Sequence, residues 1–249
     1  MKKLLLLAAA MASLHAAHAA HAAEAGPEAT FSANVAVTSD YRFRGISQTR
    51  LQPAVQVGAD WAAVSGWYAG VWASSITWTR DAGGAGSIEA DLYGGQRGEL
   101  GAGVGYDAGL LGYVYPSNGL RHVPGWDNAN TAEAYAQLGY GVATLKYAHS
   151  LTNLFGVPDS HGSGYLELNL NLAAGAHTTL SLHAGRQRVR KTRASNYTDW
   201  KAAVAHDFGI ATVTLAAVGT NAGRTAYASP ADGQFLGKRA VQLTVGRTF

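Results

Sequence analysis

The chain has 249 residues, 14% of them charged, with 31 Gly, 12 Tyr, 6 Trp and no Cys. That length suits one large domain or one barrel, and so few charges with so much Gly exclude an ordinary water-solvated globule. Lys2 and Lys3 are two of the 19 bases, so the chain beyond them carries 17 bases against 16 acids, too even a balance for a nucleic-acid partner.

The opening MKKLLLLAAAMASLHAAHAAHAAEA joins the Lys2–Lys3 pair to an apolar stretch and small-residue cleavage options. It predicts a cleaved signal peptide over 1–23 and a barrel domain over 24–249. The apolar part is too short to span a membrane as a helix. His15, His18 and His21 alternate inside this leader and carry no metal site into the exported chain. Without cysteine there is neither a disulfide nor a lipoprotein attachment point.

Beyond residue 23 no run of ~18 apolar residues occurs, and no long segment keeps a period of 3.6. What recurs is alternation over ~10 residues followed by a turn signal. In 31–44, Phe31, Ala33, Val35, Val37, Tyr41 and Phe43 share one face, and Asn34, Thr38, Asp40, Arg42 and Arg44 share the other. This predicts a first strand whose apolar face meets lipid, with Tyr41 and Phe43 in an outer aromatic girdle. Residues 45–52 then form the first external loop.

A second strand over 53–64 turns tightly at Ser65-Gly66 into a third over 67–76. Aromatics on both faces (Trp67 against Tyr68 and Trp72) leave the third strand's register open. The run DAGGAG at 81–86 reads as a flexible loop. A fourth strand from Ile88 reaches a short turn near 97–99 and a long fifth strand, ended by the polar loop 116–130. Strands follow at 132–140 and 142–150, then a loop at 151–162. Leu166, Leu168, Leu170 and Leu172 alternate with Tyr165, Glu167, Asn169 and Asn171, the clearest strand pattern in the chain. A return strand through Leu180 and Leu182 leads to a basic loop at 186–196. Strands at 197–206, 211–219 and 239–249 complete the series.

Short and long connections take turns. The pattern predicts an all-β fold, a transmembrane antiparallel up-and-down β-barrel of about 12 strands (10–14 possible), with short periplasmic turns and long extracellular loops. Val241, Leu243, Val245 and Phe249 alternate to a terminal aromatic, which implies recognition by the barrel-assembly machinery through the last strand. Arg247 interrupts that face where an Arg at the membrane edge can snorkel.

Charges facing lipid cost several kcal/mol at mid-depth, so the strand charges must point inward. The candidate lumen or pore lining is Asp40, Arg42, Arg44, Asp60, Glu89, Asp91, Glu133, Lys146, Glu167 and Lys201, with Asp107 and Asp199 on the same face. Asp40, Arg42 and Arg44 are expected at the outer mouth. An acidic excess there favours small cations or neutral solutes; the bland reading is a lumen closed by salt bridges among the same residues. Arg186, Arg188, Arg190, Lys191 and Arg193 form a basic run suited to lipopolysaccharide phosphates, or simply a solvated loop. The Gly103–Ala108 stretch matches a dinucleotide fingerprint but continues as a strand, so Gly101, Gly103, Gly105 and Gly109 are read as a smooth barrel wall. His149 and His206 have serines nearby in sequence but no nucleophile elbow, and His183 with Glu167 lacks a third metal ligand. No enzyme, cofactor or metal is expected.

SDYRFRGISQT (39–49), PAVQVGADW (53–61), SGWYAGVWASS (65–75) and EADLYGG (89–95) resemble the TorF-type porin family, as do GLLGYVYP (109–116), SGYLELNL (163–170) and NYTDWKAAV (196–204). The resemblance covers essentially the exported chain. It implies a Gram-negative outer-membrane location, contact with outer-membrane lipid, and a porin-like role without a catalytic motif. The expected function is passive diffusion of small hydrophilic solutes or ions; the alternatives are a closed structural or adhesive barrel and, less favoured, a lipid-modifying enzyme.

Overall fold

The computed structural model describes residues 29–249; the leader expected over 1–23 lies outside the described residues. Strands run in chain order as β1 (Thr30–Thr38), a short pair β2 (Arg42–Phe43) and β3 (Ile46–Ser47), then β4 (Ala54–Ala62), β5 (Trp67–Ser75), β6 (Ile88–Gly101) and β7 (Val104–Val114). They continue as β8 (Thr131–Tyr140), β9 (Ala143–Ser150), β10 (Gly164–Ala173), β11 (Thr178–Arg188), β12 (Tyr197–Asp207), β13 (Thr212–Thr220) and β14 (Ala240–Thr248). All but β2 and β3 form one closed barrel of twelve antiparallel strands, sealed where β1 pairs with β14. At the seam the Phe249 N–H donates to the Ala33 carbonyl at 2.8 Å. Closure leaves no open sheet edge, the condition for a β-structure to survive in hydrocarbon.

The period of two sorts the side chains. Phe31, Val37, Val55, Leu92, Leu110, Leu182 and Val241 are exposed on the outside; Phe31 has 73% of its surface open. Lipid, not water, is the natural solvent of such a wall. Glu89, Asp91, Tyr93, Asp107, Glu133 and Glu167 are buried inside. Short turns and long connections fall at opposite ends of the barrel, and β1 starts and β14 finishes at the short-turn end. Helix among the described residues is confined to α1 (Trp78–Asp81) and two 3₁₀ turns, and no helix is long and apolar enough to cross a membrane.

Four expectations change. The first strand stops at Thr38, not near 44, and the chain folds inward, so Tyr41 (2% exposed) and Phe43 (7%) are core residues rather than lipid-facing girdle. Alternation alone cannot tell lipid from a packed interior, because both accept aromatic rings. The turn after β6 lies at Ala102-Gly103, with Gly101, Ala102 and Gly103 all at positive φ, so Gly101 and Gly103 shape the turn and not the wall. β11 extends to Arg188, which puts Arg186 and Arg188 on a strand instead of a loop. The expected loop at 81–86 begins at the end of α1. The open register of the third strand is now defined: Tyr68 and Trp72 point in, Trp67 and Val71 out.

Glycine has a specific use in the wall. Gly70 pairs directly with Tyr93, Gly95 with Tyr68, and Gly109 with Tyr135. Each inward tyrosine lies flat across the glycine opposite it, an arrangement in which the ring covers backbone that no side chain covers. A Cβ at Gly109 would sit 2.5 Å from the Tyr135 hydroxyl and 2.4 Å from the Gly94 carbonyl oxygen. Overpacking of this kind costs about 1–3 kcal/mol. Gly109→Ala should therefore lower the urea midpoint of the detergent-refolded barrel, while Gly105→Ala, where the nearest atom is 3.7 Å away, should leave it nearly unchanged.

Candidate functional site

The segment 39–53 is the longest-reaching piece of the interior. It leaves β1 at the long-loop end, turns into the barrel and forms the β2–β3 hairpin there. The turn residues Arg44 (φ 47°) and Gly45 (φ 79°) both have positive φ, the signature of a type I′ turn. Gly45 also meets the wall: a Cβ there would lie 2.5 Å from Thr220 and 2.8 Å from Asp199. A larger residue would push the hairpin off β12 and β13.

Charge anchors the hairpin. Arg44, 5% exposed, grips Glu133 of β8 with both terminal nitrogens, at 3.1 and 2.6 Å, and donates to the Gln187 amide oxygen at 2.9 Å. Its guanidinium lies over the rings of Phe43 and Tyr165, 4.7 and 4.3 Å from their centroids. The Tyr41 hydroxyl donates to Glu89 at 2.6 Å. Asp40 is the hairpin's internal hub, accepting from Arg42 Nε at 2.5 Å and Ser47 Oγ at 2.6 Å. Arg42 Nη1 then donates to the carbonyls of Gly45, Leu236 and Lys238, tying the hairpin to the connection 221–239. Asp40, Arg42 and Arg44 are thus enclosed by wall and loops instead of standing at an open mouth.

The remaining inward charges fall into sets. Toward the short-turn end Tyr68 donates to Asp107 and contacts the Tyr135 hydroxyl, and Lys146 sits over the Tyr135 ring and 4.0 Å from Glu167. Asp60 accepts from Tyr93 at 2.6 Å. His183 bridges two strands, 3.5 Å from Glu167 and 2.9 Å from Asp199, and its register partner on β12 is Lys201. Asp91 is buried beside the Glu89 cluster. The structure therefore brings Asp60, Glu89, Asp91, Asp107, Glu133, Lys146, Glu167, Asp199 and Lys201 to the inner face, whereas Arg186, Arg188, Arg190, Lys191, Arg193 and Arg247 are exposed.

Sequence reasoning missed the tyrosines. Tyr68, Tyr93, Tyr113, Tyr135 and Tyr165 share the inner parity with the acids and supply much of their hydrogen bonding. The available signal was the alternation itself, which puts Tyr93 on the face of Glu89 and Asp91, and Tyr165 on that of Glu167. Loop aromatics add a lid: Trp78 packs on Tyr115 and Trp126, and Phe155 on Phe43 and Tyr113. In the same loop layer the Asn128 amide and the Asn153 side chain hold the Asp127 carboxyl below the usual carboxylate range.

Space remains on the other side of the lumen. A cavity of about 110 Å³ runs between the hairpin and the wall of β11 to β14 and β1, lined by Asn34, Thr38, Arg42, Lys201, Thr214 and Gln242. Arg42 Nη2, Asn34 Nδ2 and Thr214 Oγ1 are buried with no hydrogen-bond partner among the described residues. The lining mixes hydroxyl and amide side chains with apolar ones, and its charged members are Arg42, Arg44, Asp199, Lys201 and Arg247. His149 contacts Tyr147, His206 contacts Thr178, and the Ser150 hydroxyl donates to the Thr152 carbonyl, so neither histidine meets a serine. Among the described residues no cluster of three or more metal-binding side chains occurs.

A closed twelve-strand barrel with a polar interior and an apolar exterior has the architecture of porins, and solved structures bear this out at the level of fold. The KdgM porin in complex with disordered oligogalacturonate aligns with a TM-score of 0.56 at 6% identity, over 88% of this chain and 98% of that one. The NanC porin aligns at 0.53 and 9% identity with the same coverage, and the TodX monoaromatic hydrocarbon channel at 0.50 and 10%, over 90% and 89%. Residues 22–249 match the model of the Gcw_chp family, bacterial proteins of unknown function, and the chain belongs to that family. A search of curated proteins finds no match.

Losing one partner of a buried ion pair strands the other charge at a cost of about 3–5 kcal/mol. Arg44→Ala should destabilise the barrel by that order in urea titrations followed by tryptophan fluorescence. Adding Glu133→Leu should recover much of the loss, because an apolar pair removes the stranded charge. Additive effects would show that the two side chains do not act as a unit.

Proposed function

We propose that the protein is an outer-membrane porin-like channel for passive diffusion of small hydrophilic solutes or ions, with the 39–53 hairpin as its removable obstruction. The observation that carries this reading is the interior itself. A purely structural barrel of this width has no need for a hairpin held by directional charge contacts beside a polar cavity that continues past it. The hairpin crosses the lumen without belonging to the barrel sheet, so it can shift without opening the wall. Asp60, Glu89, Asp91, Asp107, Glu167 and Asp199 outnumber Arg97, Lys146 and Lys201 among the inward charges not used by the hairpin's arginines, which supports a mild cation preference. The short-turn end faces the periplasm in this reading, and the last strand with its terminal Phe249 is the mark for the assembly machinery.

The second reading is a closed structural or adhesive barrel. It is favoured by the density of contacts around Arg44 and by the aromatic lid above it.

Planar-bilayer recordings separate the two. Native protein should give small or infrequent conductance steps, and Arg44→Ala combined with Glu133→Ala should raise step size or open probability severalfold. A salt gradient should give a reversal potential of cation-preferring sign. Silence from both native and variant protein would reject the channel and leave the closed barrel; anion preference would reject the role given to the inward acids.

A further inference from the structure

The five bases of the 186–193 run lie on the outside of the barrel, where the lumen cannot use them. Arg186 and Arg188 sit on the outward face of β11, directly paired with Leu166 and Gly164 of β10. With Arg190, Lys191 and Arg193 they border an outer groove of about 630 Å³, floored by Tyr147. Arg186 donates to Thr198 Oγ1 at 3.0 Å, Arg190 to the His161 carbonyl at 3.3 Å, and Lys191 stands 3.9 Å from the exposed Asp159. The side chains of Arg188 and Arg193 have no hydrogen bond or ion pair among the described residues. One acid accompanies five bases, so the groove's positive charge is largely uncompensated from within the protein.

Position decides what this charge is for. The strand register runs downward from Arg188 and Arg186 through Ala184 to Leu182 and Leu180 on β11, and from Leu166 through Leu168 to Leu172 on β10. The outer surface therefore changes from guanidinium to aliphatic over a few residues, at the long-loop rim. Gly164 permits the groove: a Cβ there would lie 2.5 Å from the Tyr147 hydroxyl, which rests against it. A solvated loop needs no such gradient, whereas a lipid with anionic oxygens above acyl chains fits both halves. Guanidinium forks bind phosphate bidentately, and carboxylate headgroups offer less charge per site.

We infer that this groove is a binding site for a phosphorylated, acylated glycolipid of the outer leaflet, that is, the lipid A part of lipopolysaccharide. The inference rests on the outer-membrane orientation proposed above but not on conduction. Arg188 and Arg193 supply the principal phosphate contacts, Arg186 and Arg190 flank them, and the acyl chains lie along Leu166, Leu168 and Leu182.

The test uses full-length protein refolded in detergent, with binding read by native mass spectrometry against bisphosphorylated lipid A and the same lipid stripped of phosphate. Native protein should hold the bisphosphorylated form at least tenfold more tightly than the stripped form, with affinity falling as salt rises. The combined Arg186→Gln, Arg188→Gln and Arg193→Gln variant should lose that preference, while Arg247→Gln at the opposite rim keeps it. Heat-modifiable migration on gels confirms that each sample is folded. If the triple variant does not fold, Arg188→Glu and Arg193→Glu singly replace it, since neither side chain supports the fold through a described contact. Equal affinity for the two lipids, no difference between native and variant protein, or displacement of lipid A by equimolar inorganic phosphate would overturn the assignment. Conductance measured on the same samples keeps failure of the channel reading distinguishable from failure of this one.

Discussion

An apolar outer wall leaves ionisable strand residues at mid-depth only the inner face, and that constraint organises the rest of the molecule. Charges gathered in a lumen of low dielectric cannot stand unpaired. Here the wall solves the problem with two kinds of partner. Tyrosine hydroxyls satisfy Asp60, Asp107 and Glu89, donating without adding charge. Where a counter-ion is needed opposite Glu133, the chain brings one in from outside the sheet, on the tip of the β2–β3 hairpin. The plug and the acid it neutralises are two halves of one electrostatic unit.

The tyrosines carry a second consequence, because a ring inside a strand needs space against the neighbouring backbone. Glycine opposite Tyr68, Tyr93 and Tyr135 supplies it, and the high Gly and Tyr content of the chain is partly one feature counted twice. A barrel built this way gains rigidity at mid-height from flat aromatic cover. Its remaining free volume then collects on the side of β12 to β14 and β1, where Ala203, Ala216 and Thr214 are small. The lumen is lopsided for that reason.

Much of this was legible beforehand, and the parts that were not share a cause. Strand number, the alternation of short turns with long loops, and the inward face of Glu89, Asp91 and Glu167 follow from period and from the cost of charge in lipid. The misreading of 39–49 came from the same period. Tyr41 and Phe43 continue the apolar face of β1 in sequence, and only tertiary contacts with Trp72, Tyr113 and Phe155 show that they pack in protein. One local cue did exist: Arg44-Gly45 is a two-residue turn pair inside an otherwise extended run, and a type I′ turn there ends any single strand. Charge at Arg186 and Arg188 suggests solvent and therefore a loop. At a barrel rim, however, a strand can carry charge on its outer face once it reaches headgroup level.

The hairpin is fastened at several points. Within the hairpin itself only Arg42–Ser47 and Phe43–Ile46 pair as strand neighbours, too little to hold it together alone. Its ties run in three directions: to the wall through Arg44–Glu133, Tyr41–Glu89 and the Gln242 side chain on the Asp40 carbonyl, to the 221–239 connection through Arg42 and the Ser47 amide on the Leu236 carbonyl, and to residues 77–81 through the Thr77 and Trp78 amides on the Gln48 carbonyl and the Arg50–Asp81 ion pair. The ties to Glu133 and Glu89 join side chains that water can replace. The loop ties use backbone carbonyls, with Ile46 and Leu236 packed in the same small apolar cluster. The hairpin and the 221–239 connection are thereby joined through backbone, whereas Arg44 and Tyr41 reach the wall through side chains alone. The existing cavity lies on the β12 to β14 side of this unit, away from the tyrosine-packed half of the lumen.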